Sequence, residues 1–247
     1  QLKLAGPKIP PNLIRPKSVS ADAAVRSRNL LKRLNQRFSG RGGQKTFTDS
    51  YNAYFEMDEK LMDRRDLFEG EPSGKDLDRY GRHPFGRNCL LARTLLENGG
   101  TVVKVTHHGY DTHAENFNFH LEQLGEFDKT FCMLLDDLQQ SGMLESTLVM
   151  IYSEFGRTPK INVRYGRDHW GTAWSIALGG QGIVPGAIVG STNKKGTAVS
   201  EREVDGGHLF HTYFRALGID SSSYHTLGGR SVPIGDPARQ PIQELLA

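Results

Sequence analysis

An α/β fold built on a mostly parallel sheet is what this sequence predicts, and two observations carry the expectation. First, a short β-branched stretch, Thr101 to Thr106, leads to a long amphipathic helix from Asn118 to about Gln140 and then to the apolar strand Leu148 to Tyr152. Strand, helix, strand in that order is a crossover unit, and such connections join parallel strands. Second, each strand runs into a loop dense in reactive side chains. The first gives His107-His108-Gly109-Tyr110-Asp111-Thr112-His113 and the second Ser153-Glu154-Phe155-Gly156-Arg157. Parallel strands share a carboxyl edge, where ligands bind in open α/β sheets, so the two loops are expected side by side.

The 247 residues are expected to form one domain. Residues 1–17 hold four prolines, which deny regular hydrogen bonding and predict an extended strap. Residues 18–98 read as mainly helical. Leu30, Leu34 and Phe38 recur every four residues in a helix from Ser20 to Phe38, with Asp22 in its first turn and Gly40 to Gly43 ending it. A second helix is expected from Tyr51 to about Phe68, then a polar connection over 69–82. A third starts at Pro84, carries Leu90, Leu91, Leu95 and Leu96, and stops before Gly99-Gly100.

Residues 99–235 form the expected α/β portion that holds the site. In the long helix Leu121, Leu124, Phe127, Phe131, Leu134 and Leu138 make one apolar stripe. Thr172 to Leu178 alternates like a strand, and Ile183 to Ser191 is expected to add a strand pair. Leu209 to Leu217 reads as a final helix stopped by Gly218, with His208 and His211 capping or packing it. No chemistry is apparent beyond it.

A formal charge of +3 with no run of five or six like charges removes nucleic acid as the default partner, and no stretch is apolar enough to span a bilayer. Cys89 and Cys132 sit in helical patterns outside any metal-binding pair and are expected in the core.

Asp111, His113, Glu154, Asp168 and His169 combine carboxylate oxygens with imidazole, the donor mix for a divalent metal ion: zinc, manganese, calcium or magnesium. The alternative is a set of loop residues paired with Arg157, Arg164 and Arg167. Arg157, just past a strand, has the planar fork that holds a phosphate or sulfate, and pairing with Glu154 is its other role. His107 and His108 point to opposite sides of a strand end, so at most one would face the site.

Four blocks carry a resemblance: Tyr80 to Arg93, Gly109 to Phe117, Ser153 to Lys160 and Gly166 to Trp170. Together they resemble the signature blocks of domain of unknown function 1501, a bacterial and mostly exported family placed with the alkaline phosphatase and sulfatase superfamily. The resemblance implies a three-layer alkaline-phosphatase-like fold, represented here without its amino-terminal part, around a metal-assisted site. Asp111 and His113 resemble the acid and imidazole ligands of one ion, Glu154 stands where an aspartate ligand is usual, and His169 resembles a late histidine ligand. Phe155 departs from the pattern, standing where a histidine commonly follows the ligand aspartate. The strand that would bring the nucleophile and a further aspartate is expected upstream of Gln1.

The implied activity is hydrolysis of a phosphate or sulfate ester, small or polysaccharide, with Arg157 steadying the anion. Two alternatives stay open: a non-catalytic metal-binding remnant of the fold, and a phosphosugar mutase-like transferase.

Overall fold

The computed structural model describes residues 2–4, 14–64 and 66–247, and the chain divides into two compact units, residues 1–106 and 107–247. The strap expected over residues 1–17 falls mostly outside the described residues. The first unit contains β1 (Leu2–Leu4), α1 (Ala21–Gly40), α2 (Lys45–Asp63), α3 (Asp66–Glu69), α4 (Gly74–Tyr80), α5 (Pro84–Glu97) and β2 (Val103–Val105). Ser20 caps α1 by accepting from the Ala23 amide, with Asp22 in the first turn as anticipated. Phe68, Ala92 and Leu95 form its core, with Met62, Leu67, Leu91, Val103 and Val105 against them.

Helix α4 lies inside the segment expected to be a polar connection. Its Leu77 and Tyr80 are buried three apart, and Ser73 caps it from outside. The Arg79 guanidinium carbon stands 5.9 Å from the Tyr80 ring centroid. That of Arg93 stands 5.6 Å from it. Burying this ring beneath two cations organises the turn. Two apolar residues in seven are too few for a periodic signal.

The second unit contains α6 (Asn116–Gln140), β3 (Leu148–Ile151), β4 (Gly156–Arg157), β5 (His169–Trp170), β6 (Ala177–Gly180), β7 (Ser191–Thr192), β8 (Val199–Glu201), α7 (Gly206–Ala216), β9 (Tyr224–Leu227) and β10 (Arg230–Pro233). The content is mixed helix and strand, but the mostly parallel sheet does not form. Among the described residues every sheet is a two-stranded pair, and parallel pairing is confined to β1 with β2. β3 pairs antiparallel with β6, Leu148 opposite Gly180, so β2 and β3 do not make the expected crossover. Strands of two to four residues offer few rungs, and apolar pattern marks a strand without marking its partner.

Several local expectations shift. The strand foreseen over Thr172 to Leu178 lies at Ala177–Gly180, and the pair foreseen over Ile183 to Ser191 does not form there: of that segment Ser191 enters β7, which pairs with β8 beyond it. On α6 the stripe is wet at its amino end, where Leu121 is 82% exposed, and buried at Leu138. Cys89 is buried, with its thiol pushed up to about 12 by burial, whereas Cys132 is exposed on the wet side of α6.

Helix α7 opens with a capping box. The Asp205 carboxylate accepts from the Gly207 and His208 amides. In return, His208 Nδ1 meets the Asp205 amide at 3.2 Å. His211 is buried, its Nδ1 2.6 Å from Ser221 Oγ and its Nε2 2.9 Å from the Asp236 carbonyl oxygen. Both histidines thus cap and pack. β9 and β10 form a hairpin through Gly228 and Gly229, both at positive φ, as a two-residue primed turn requires.

Candidate metal centre

The site is built on a small β-hairpin. β4 pairs with β5 so that Arg157 lies opposite His169, and the intervening loop is held from within. Asn162 Oδ1 accepts from the Arg164 and Gly166 amides, and the Arg167 guanidinium donates to the Thr158 and Pro159 carbonyls, both at 2.7 Å. These bonds fix a loop that sequence alone leaves as punctuation. Tyr165 takes a left-handed φ of 59°. That uncommon backbone state aims its peptide groups at the other loop.

That other loop, carrying Asp111 and His113, is stitched to the hairpin by backbone. The Glu115 amide donates to the Arg164 carbonyl, Asn116 to Tyr165, and Arg167 to Thr112. Asn162 Nδ2 donates to the His113 carbonyl at 3.0 Å. Gly166 is required at this crossing, because a Cβ there would overlap the His113 carbonyl group. The Asp111 and His113 loop is therefore joined by direct hydrogen bonds to the loop between β4 and β5, whereas the loop expected beside it was Ser153 to Arg157, of which Arg157 reaches Asp111.

Their meeting point is Asp111 Oδ1. Arg157 Nη2 donates to it at 2.7 Å, His169 Nε2 lies at 2.8 Å and His113 Nε2 at 3.1 Å. Asp111, His113 and His169 each offer a ligand atom, all within 4.8 Å of one another. Asp168 does not join them. Its Oδ1 bonds His113 Nδ1 at 2.8 Å and accepts from Asn162 at 3.2 Å. It thereby holds the ring from behind. Glu154 is exposed and stands outside the group of three. Arg157 is paired with Asp111 rather than Glu154, and its Nη1 donates to the Arg167 carbonyl.

Phe155, in the position where the resemblance leads one to look for a histidine, lies against the His169 ring at 4.3 Å between centroids and 5.8 Å from the Arg157 guanidinium carbon. The two rings are tilted by 35° to one another. His107 is held by Tyr110 Oη at 3.0 Å and Glu126 at 3.3 Å and is not one of the three. Sequence reasoning assigned no role to Asn162 or Gly166; the Asn-x-x-x-Gly spacing of a side-chain-braced turn was the available signal.

The electrostatics follow the contacts. The His169 bond, then the Arg157 bond, hold the Asp111 carboxyl down to about 2, and the His113 bond keeps Asp168 below the usual carboxylate range. Both acids are anionic at neutral pH. The centre is open to water: the side chains of Asp111, His169 and His113 are 68%, 50% and 37% exposed.

The donor set fits a divalent cation. Two imidazole nitrogens and one carboxylate oxygen are donors that several divalent ions accept. No curated protein and no solved structure matches the chain. A family model described as protein of unknown function (DUF1501) matches residues 2–246, and the chain accordingly belongs to that family.

Proposed function

We propose that this protein binds a divalent metal ion through Asp111, His113 and His169 and uses it to hydrolyse a phosphate or sulfate ester. The observation that carries the reading is the convergence of three ligand atoms from the Asp111 and His113 loop and strand β5, with Asp168 bonded to the far nitrogen of His113. When bound, the ion supplies a Lewis acid for an ester oxygen. With Nδ1–H of His113 donating to Asp168, Nε2 keeps its lone pair toward the centre. Arg157, released from Asp111, offers two parallel N–H groups to the anion. Phe155 holds the His169 ring while these groups rearrange. Glu154 lies outside the ligand set in this reading, and Asp168 orients a ligand.

One observation favours the second reading, a metal-binding protein without turnover: the exposure of Asp111 and His169 leaves the charges in water, where electrostatic stabilisation is weak. Metal content by mass spectrometry, together with assays on chromogenic phosphate and sulfate esters, separates the two. Stoichiometric metal with turnover supports hydrolysis, and metal without turnover supports the non-catalytic reading. A protein that binds none of zinc, manganese, calcium or magnesium sinks both.

A further inference from the structure

Helices α1 and α2 form an antiparallel hairpin whose facing rows are fixed by polar contacts. Asn35 Nδ2 donates to Asn52 Oδ1 at 2.7 Å, Ser39 Oγ meets Thr48 Oγ1 at 2.6 Å, and Lys32 Nζ meets Glu56 at 3.0 Å. Leu31 is half-buried on the same row of α1, and the exposed apolar residues lie beside these rows. Leu34 and Phe38 precede Asn35 and Ser39 by one position, and Phe47 and Tyr51 precede Thr48 and Asn52 by one. Each step is a turn of about 100° around the helix, and the near two-fold relation of antiparallel helices turns both steps to the same side. Leu30, Leu34, Phe38, Phe47, Tyr51 and Phe55 thus share one face, each between 41% and 65% exposed, and α1 has no buried residue along its 20. The rings form a row, Tyr51 lying 6.3 Å from Phe47 and 5.0 Å from Phe55. An apolar face of this size on an antiparallel helix pair is what one half of a four-helix bundle presents.

Charge says what covers it. α1 carries five basic residues against Asp22 alone, while α2 carries five acidic residues against two lysines. A second copy can be laid on this face by a two-fold axis along the helices or by one across them. The axis across them sets α1 over α1 and α2 over α2, with like charges adjacent. The axis along them sets α1 over α2 of the second copy. Every neighbouring pair is then antiparallel and oppositely charged. Closure about that axis allows no sliding, so the register follows from the hairpin alone: Leu34 lies between Tyr51 and Phe55 of the second copy.

We propose that this face is a homodimer interface, in which two α1–α2 hairpins close into an antiparallel four-helix bundle with α1 against α2 of the second copy. Sedimentation velocity of the full chain tests it. The expected result is a species of twice the chain mass, halving in the Leu34→Glu and Tyr51→Glu variants while helix content by circular dichroism is retained. The orientation is read by oxidative cross-linking in a Cys132→Ser background. A Leu34→Cys chain mixed with a Tyr51→Cys chain gives a linked pair, and neither gives one alone. A chain that is monomeric at every concentration, or a dimer that both glutamates leave intact, overturns the proposal. Self-linking of Leu34→Cys overturns the orientation.

Discussion

A single carboxylate oxygen, Asp111 Oδ1, is the point on which Arg157, His169 and His113 converge, so single-residue changes should separate ligand from support. Asp111→Ala and His169→Ala are each expected to abolish metal retention on dialysis. Asp168→Asn keeps all three ligands but loosens the His113 ring, and should weaken metal affinity by about 10- to 100-fold in a titration. His211→Ala should leave metal content unchanged. It leaves Ser221 without its buried partner, and should cost about 1–3 kcal/mol in denaturant unfolding. Gly166→Ala forces a methyl group into the His113 carbonyl. It should destabilise by about 1–3 kcal/mol and reduce metal binding with every ligand still in place. Residue types announced this cluster; which acid joins the group of three and which bonds His113 from behind was not legible, because Asp168 and His169 are neighbours in sequence whose side chains make different contacts.

Among the elements, α7 is the one whose stability depends most plainly on pH. The Arg239 bond, then the His208 amide, hold the Asp205 carboxyl well below the usual carboxylate range. A carboxyl whose pKa is depressed by folding contributes stability above its unfolded value near 4, and that contribution fades as pH falls through the lower folded value. Asp205→Ala should therefore cost about 0.5–2 kcal/mol at neutral pH, the usual range for a lost cap. The difference from the native chain in denaturant melts should shrink as the buffer is acidified below about pH 4. Helices with a long apolar repeat and plain stops, α1, α5, α6 and α7, were legible to within a few residues. α4 was not, since it rests on the burial of Leu77 and Tyr80, the latter against Arg93 of the next helix, too few apolar residues to give a period. The β9–β10 hairpin had a signal in Gly228-Gly229, but flanking strands exposed along their whole length carry no alternation to read.

For the molecule as a whole, strand partners were the least legible feature. The apolar run at Leu148–Ile151 is the same whether it pairs parallel or, as here, antiparallel with β6. The Asp111 loop was expected beside Ser153 to Arg157 on a shared sheet edge; backbone bonds join it instead to the loop between β4 and β5. Because the site belongs to the folded chain and its ligands scatter on unfolding, metal binding should raise stability by mass action, about 2.7 kcal/mol at 100 times the dissociation constant. Calorimetry with and without added ion should show an upward shift of several degrees that Asp111→Ala removes. The contact between Arg157 and Asp111 carries a further implication. While it persists, a guanidinium occupies the oxygen that an incoming cation would claim, so each arrival of the ion sets a cationic fork loose beside it. An oxyanion that grips the liberated fork would tighten the ion's hold, and linkage obliges the ion to tighten the oxyanion's by the same factor.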